Sequence, residues 1–324
     1  MHIDSETRPV GWLRHAALLA ATLIAVLALA ACGGDSKPKA AETKEPSPTV
    51  EETPTGAAGG EDTVRVNESF WHAGWKVTLG EATLTAGDFG SATVTIEATF
   101  ENLGASDASF DSQLALTSGG QSYTDPALEQ ELPTVPGGLS GKGVFAFSAD
   151  EEFGFDDATL IIGNPDNNQA RVPLGPQGDD LVSLEPRAIT VSGQVKAGAL
   201  TVNVQGAELR ADLPEKHSEV EKGHLALTIR FSATPSAGIQ IGQGVLQDPN
   251  VALKLPDGTA VAVRSDGVSG VNELLQGKEG TSIPDLSVRF EIDDPPEGEY
   301  AFVLKGKYGP AGADVQGELP FTIP

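Results

Sequence analysis

From Val64 to the end of the chain, apolar and polar residues alternate one by one, and the alternation is broken by Gly, Pro, Asp and Asn. Val94, Ile96, Ala98 and Phe100 fall on one side of such a run, and Thr93, Thr95, Glu97, Thr99 and Glu101 on the other. Leu225, Leu227, Ile229 and Phe231 repeat the arrangement against His224, Ala226, Thr228 and Arg230. A strand sends successive side chains to opposite faces, so this period predicts antiparallel sheets with one face buried. Stripes at helical spacing are missing. The best helical candidates, Ala127 to Leu132 and Asn272 to Gln276, are each little more than one turn. The expected fold class is all-β.

The same order of elements runs through the chain twice. Lys76 to Leu84 matches Thr201 to Leu209 in alternation and in small residues, and Leu114 to Tyr123 matches Val251 to Ala260, a strand entering a tight turn. Each copy then has a short helical candidate, a Pro/Gly-rich stretch and a strand, Gly143 to Ser148 or Leu286 to Ile292. An acidic loop follows, then an apolar strand, Thr159 to Ile162 or Ala301 to Leu304, and each copy closes on a short strand, Ala170 to Leu174 or Glu318 to Ile323. A repeat this long predicts tandem domains rather than a solenoid, here 64–176 and 177–324, with the boundary near Gly175-Pro-Gln-Gly-Asp-Asp180. Several short strands punctuated by turn residues favour a β-sandwich; a barrel stays open.

Three stretches of the first copy carry a family likeness: Thr93 to Asn102, an alternating strand ending in Asn; Leu116 to Tyr123, a strand, a Gly-Gly turn and an aromatic; and Pro136-Gly-Gly with Gly141 before Val144-Phe-Ala-Phe147. The pattern resembles a bacterial family of envelope lipoproteins carrying an immunoglobulin-like domain whose function is unassigned. That resemblance implies an immunoglobulin-like sandwich. The second copy departs from it, with Ser232-Ala-Thr234 in place of the strand-ending Asn and Gly277 and Gly280 where the Pro-Gly would stand.

The start of the chain has another character. Arg8, Arg14 and His15 precede an uncharged run, Ala16 to Ala31, which ends in Leu29-Ala30-Ala31-Cys32. A positive start, a short apolar core and small closing residues describe a secretory signal, here residues 1–31. The run is shorter than the roughly 20 apolar residues of a comfortable membrane span, which leaves an uncleaved anchor helix as the alternative. Leu29, Ala30, Ala31 and Cys32 resemble a lipobox. The resemblance implies an acylated Cys32 at the mature N-terminus and a place on the outer face of the bacterial cell membrane. Cys32 is the only cysteine among 324 residues, so no disulfide pair remains and the exported part must fold by core burial alone. Residues 32–63 have no aromatic and are rich in Lys, Pro, Ala, Glu, Thr and Gly, a composition that predicts a disordered tether.

Forty-six acidic residues stand against 21 basic ones, a formal charge of −25. Phosphate contact needs a basic face, so this balance argues against nucleic acid and for a solvated, self-repelling surface. Three features invite a sharper reading. Asp150, Glu151, Glu152, Asp156 and Asp157, and their counterparts Asp293, Asp294, Glu297 and Glu299, could lend hard oxygens to calcium, although the turn residues around them favour ordinary hairpin ends. His217, Glu219, Glu221 and His224, in the one stretch inserted in the second copy, could hold zinc; the spacing matches no familiar site, and alternating Glu and Lys favour an exposed hairpin loop. Phe70, Trp71 and His72 could offer a binding surface, or wrap a first strand over the sandwich, while Trp75 leads into Val77 and Leu79 and belongs to the core.

With Cys32 acylated there is no thiol nucleophile, and no serine elbow, zinc-protease helix motif or phosphate-cradling glycine loop occurs. The sequence therefore predicts no enzyme and no cofactor beyond the lipid, with Ca or Zn as the metals to consider. The leading expectation is a membrane-anchored, non-catalytic binding module for an envelope protein or polymer. A structural spacer or accessory subunit of an envelope complex comes second, and a metal-binding protein or hydrolase third.

Overall fold

The computed structural model describes residues 61–324, apart from 238, 240–243 and 266–269. The expected signal peptide, the lipobox residues Leu29, Ala30 and Ala31, the lipidation site Cys32 and the tether up to residue 60 lie outside the described residues. Within them the chain is all-β: the only helical elements are four three-residue 3-10 turns. No helix among the described residues is long and apolar enough to cross a membrane.

The long strand Trp75–Ala86 pairs on one edge with Asp62–Arg65 and Ser69–His72 and on the other with Ser91–Asn102, which in turn pairs with Ser140–Asp150. A second sheet has the spatial order Ala170–Pro173, Thr159–Ile162, Leu114–Ser118, Gln121–Tyr123. One apolar cluster draws on both sheets: Val77, Ile96 and Phe145 from the first meet Leu116, Leu160 and Val172 from the second. That is a sandwich core. The later sheets repeat the pairing. Leu200–Arg210 takes Arg187–Ile189 and Gly193–Ala197 on one edge and His224–Pro235 on the other, followed by Ile283–Asp293. The facing sheet runs Val315–Ile323, Gly298–Gly306, Val251–Lys254, Ala260–Ala262 around a second cluster.

The repetition extends to an irregularity. The register slips between Leu79 and Ala82 in the first hairpin and between Val204 and Gly206 in the second. The inward parity changes there, from Val77 and Leu79 to Ala82, and from Val202 and Val204 to Ala207 and Leu209. A bulge lets one long strand keep apolar residues inward on both sides of the slip and bends the sheet over its core. The aromatic centre of the first core joins Trp75 to Phe100 at 6.3 Å, Phe100 to Phe110 at 5.0 Å and Phe100 to Phe145 at 5.3 Å, all edge-on. Pairs of this kind contribute about 0.5–1.5 kcal/mol each beyond the area they bury.

Four expectations change. Ala127 to Leu132 is not helical: flanked by Pro126 and Pro133, it lies along the edge strand Ser140–Asp150 through Ala127 N–H to Ala146 O and the paired Glu131 and Val144. A one-turn helix would have left those groups to water after a costly nucleation. Asn272–Leu274 is a strand paired with Val245–Gln247. The last residues assigned to the expected tether belong to a strand, because Asp62 and Thr63 pair with Leu84 and Thr83. The change of core comes later than residue 176. Val182 exchanges both backbone bonds with Arg171, Ser183 O accepts Trp71 N–H at 2.8 Å, and Leu184 still packs on the first core, while the second begins at Ile189.

Candidate functional site at the junction of the two cores

Strands Ser69–His72 and Trp75–Ala86 are joined by a turn at Ala73 and Gly74, whose φ angles are +48° and +81°. Two left-handed residues give the tight turn whose twist suits paired strands, usually filled by Asn-Gly. Ala73 is buried, which favours a methyl group over an amide. The turn is held from the other half of the molecule: Gly74 N–H donates to Asp212 Oδ2 at 2.6 Å, and Asp212 Oδ1 accepts from Arg210 Nε at 2.8 Å.

Asp212 opens the segment that joins Leu200–Arg210 to His224–Pro235. Asp212–Leu213 and Ser218–Glu219 pair as a small hairpin around the 3-10 turn Pro214–Lys216. Leu213 and Val220 pack with Ala226 as a small third cluster. The expectation of an exposed hairpin loop is thus corrected: Lys216, Glu221 and Lys222 face solvent, but Glu215 pairs with buried Arg289 at 2.8 Å and the body of the loop lies against the first half. Asp212 and Glu219 turn inward to polar partners of the first half, and His217 turns inward to Trp75.

Two of the three sequence-derived candidates meet at this contact, through His72 of one and His217 and Glu219 of the other. His72 is 1% exposed, and its Nε2 lies 2.8 Å from Glu219 Oε1 and 2.7 Å from Ser112 Oγ. Gly163 makes room for the ring, since a Cβ there would stand 2.7 Å from His72 Cε1. Glu219 Oε2 also accepts Asn164 N–H at 3.3 Å. Burial pushes the Glu219 carboxyl upward, but the hydrogen bond and charge of His72, with help from Asn167 and Asn164, hold it below the ordinary value. His217, itself left-handed at φ +47°, sets its ring 5.6 Å from that of Trp75, tilted by 44°. Its cradle is made of glycines: a Cβ on Gly104 would lie 2.6 Å from His217 Nε2, and one on Gly74 3.0 Å from Nδ1. Asn102, fully buried, holds that wall by accepting Gly104 N–H and donating to Ser106 O and Val135 O. Asn168 closes the far side, its Nδ2 donating to His224 O at 2.8 Å and its N–H to Val220 O at 3.2 Å.

The geometry decides what these groups can do. Ser112, His72 and Glu219 have the composition of a nucleophilic triad, but a relay places hydroxyl and carboxylate on opposite ring nitrogens, whereas here both meet Nε2. The set is a lock. Glu219 is engaged by His72, His224 Nδ1 faces Asp293 Oδ1 at 3.3 Å, His217 lies on Trp75 and Glu221 points to solvent, so these four do not form one ligand set. Among the described residues no group of three or more His, Cys, Asp or Glu could hold a metal ion. Of the two readings of Phe70, a binding surface or a first strand wrapped over the sandwich, the second describes its place: strand Ser69–His72 turns it into the core beside Val77, where it is fully buried. His72 is buried with it, and Trp71 is half-buried with Lys76 Nζ 5.1 Å over its ring.

The first acidic cluster braces a hairpin. Tyr123 Oη donates to Asp150 Oδ1 at 3.0 Å, and burial, followed by that bond and the acids around it, pushes the phenol up to about 12. Asp157 accepts Ser118 Oγ at 2.8 Å and Gly119 N–H at 2.9 Å, and these bonds hold its carboxyl below the usual range. Phe153 and Phe155 are buried in the core between these acids. Sequence reasoning missed Ser112, Asn164, Asn168 and the glycines at 74, 104 and 163. The one local signal was the polar turn Gly163-Asn-Pro-Asp-Asn-Asn168.

No family model matches the chain, and no curated protein matches it. Among solved structures, a conserved hypothetical protein from Bacillus anthracis resembles it at 12% identity, over 36% of this chain and 99% of that one, with a TM-score of 0.28.

Proposed function

We propose that the protein is a bacterial surface lipoprotein, acylated at Cys32, whose two immunoglobulin-like sandwiches form a non-catalytic binding module for an envelope protein or polymer on the outer face of the cell membrane. The observation that carries the binding role is Phe89. It is fully exposed at the tip of the first long hairpin and has φ +58° and ψ +35°. A bulky residue in the left-handed region is strained, and an aromatic held out in water gains nothing from it within the fold. Exposed aromatics of this kind become the anchors of interfaces. The test is capture of envelope components by the acylated chain in detergent micelles, repeated with Phe89→Asn. Saturable capture of one component, lost in the variant, supports the reading; capture indifferent to Phe89 contradicts it.

A second reading, a spacer or accessory subunit, is favoured by the junction. The contacts of Asp212, His217 and Glu219 with the first half hold the two cores as one body, as a strut requires. Cross-linking of the protein in intact cells separates the readings: a spacer joins the same neighbour through both halves, whereas a binder joins through the Phe89 end.

A further inference from the structure

The hairpins Trp75–Asn102 and Leu200–Pro235 occupy the same place in their sheets, so their tips are equivalent positions. In the second, the tip is residues 211–223, the segment that docks on the first half through Asp212, His217 and Glu219. In the first, it is Gly87-Asp88-Phe89-Gly90, fixed by Gly87 N–H to Ser91 O, Ser91 Oγ to Asp88 O and Glu151 N–H to Gly90 O, with the Phe89 ring wholly in solvent. One tip of this fold is thus already a docking element that buries an aromatic contact, and the other presents an aromatic unburied.

The charge around the free tip selects what can cover it. The first half as a whole is acidic, with fifteen acidic residues and one basic one, Lys142, from residue 77 to residue 170. Asp88 adjoins Phe89, and the Glu151 carboxylate lies beside Gly90, 3.5 Å from where a Cβ would stand. Asp150 and Glu152 follow on the same loop, each already accepting hydrogen bonds from its own surroundings. A one-sign field of this density steers cationic partners inward and repels anionic ones.

We propose that the Gly87–Gly90 tip docks a cationic protein segment, Phe89 packing on an apolar residue of that segment while Asp88 and Glu151 receive the flanking lysines or arginines. This deepens the binding role proposed above and rests on it. The probe is a blocked peptide, Lys-Lys-Leu-Leu-Lys-Lys, titrated into the isotope-labelled full chain at low salt, with the glutamate counterpart as control. Shift changes are expected at 87–91 and 150–152. Phe89→Asn, which suits a left-handed turn and deletes the ring, should weaken Kd about tenfold, the scale of one lost aromatic anchor. Glu151→Gln should weaken it about twofold and flatten the salt dependence. Shifts centred on the second half, equal binding of the glutamate peptide, or indifference to Phe89→Asn overturns the tip site. With envelope capture still saturable and lost in Phe89→Asn, that result leaves the binding role standing; with capture absent or indifferent to Phe89, both fall.

Discussion

Two hairpins of one design end in opposite ways. The first closes in a four-residue turn that leaves Phe89 in water; the second extends through residues 211–223, and its His217, Glu219 and Asp212 are spent on a contact inside the molecule. Their strands share pairing order and bulge, so the sheets do not set the difference. The tip does. A sandwich presents its hairpin ends wherever its sheets stop, and the sequence there settles whether that end turns inward to a neighbouring core or outward to another molecule.

Substitutions can break this comparison, and the largest effect is expected at His72. His72→Ala empties a fully buried ring site and takes from the largely buried Glu219 carboxylate its hydrogen-bond partner, which together cost on the order of 3 kcal/mol. Denaturant unfolding of the variant should show that loss, with the two cores no longer melting together. A matched pair comes next. Asn102→Ala strips three hydrogen bonds from the wall behind His217 and should cost about 2 kcal/mol, whereas Thr234→Ala, at the corresponding strand end without such a network, should cost less than about 0.5 kcal/mol. Equal costs would remove the asymmetry between the halves.

Acid provides a third probe. The Glu219 carboxyl is held below its ordinary value of 4.5 in the folded protein, so the folded state binds fewer protons there than the unfolded state. Its stabilising contribution is complete above that ordinary value and is lost as pH falls through the lowered one. Wild type should therefore lose stability faster than Glu219→Gln on acidification in that window, read from chemical unfolding at several pH values; parallel curves would contradict the lock. The smallest effect belongs to Phe89→Asn. It relieves left-handed strain and uncovers nothing, so stability should hold or rise by no more than about 1 kcal/mol. A clear destabilisation would mean that Phe89 serves the fold rather than a partner.

Much of the architecture was legible because it is written locally. The alternation of Val94, Ile96, Ala98 and Phe100 sits in Ser91–Asn102 with those residues inward, and Trp75 lies in the core as its lead into Val77 requires. The change of inward parity at Gly80 was equally present in the residues, but only the register between two strands makes it a bulge. The junction was not legible. Nothing near His72 announces Glu219, and nothing near Gly104 announces His217, because both contacts are made by chain folding over long separations. His72, His217 and Glu219 were nonetheless singled out from sequence as oddities, for ligand chemistry rather than for the lock they form. The two short helices failed for a related reason: their backbone groups had better partners across a sheet edge than within one turn.

The central claim is that the extended tip of the second hairpin binds the two cores into one body. Nitrogen-15 relaxation on the chain carrying Cys32→Ser tests it most directly, with a companion in which 211–223 is replaced by a four-residue turn. The account predicts one rotational correlation time shared by both halves in the first protein and two distinct ones in the second. Two correlation times in the intact protein, or a single one surviving the replacement, would contradict it.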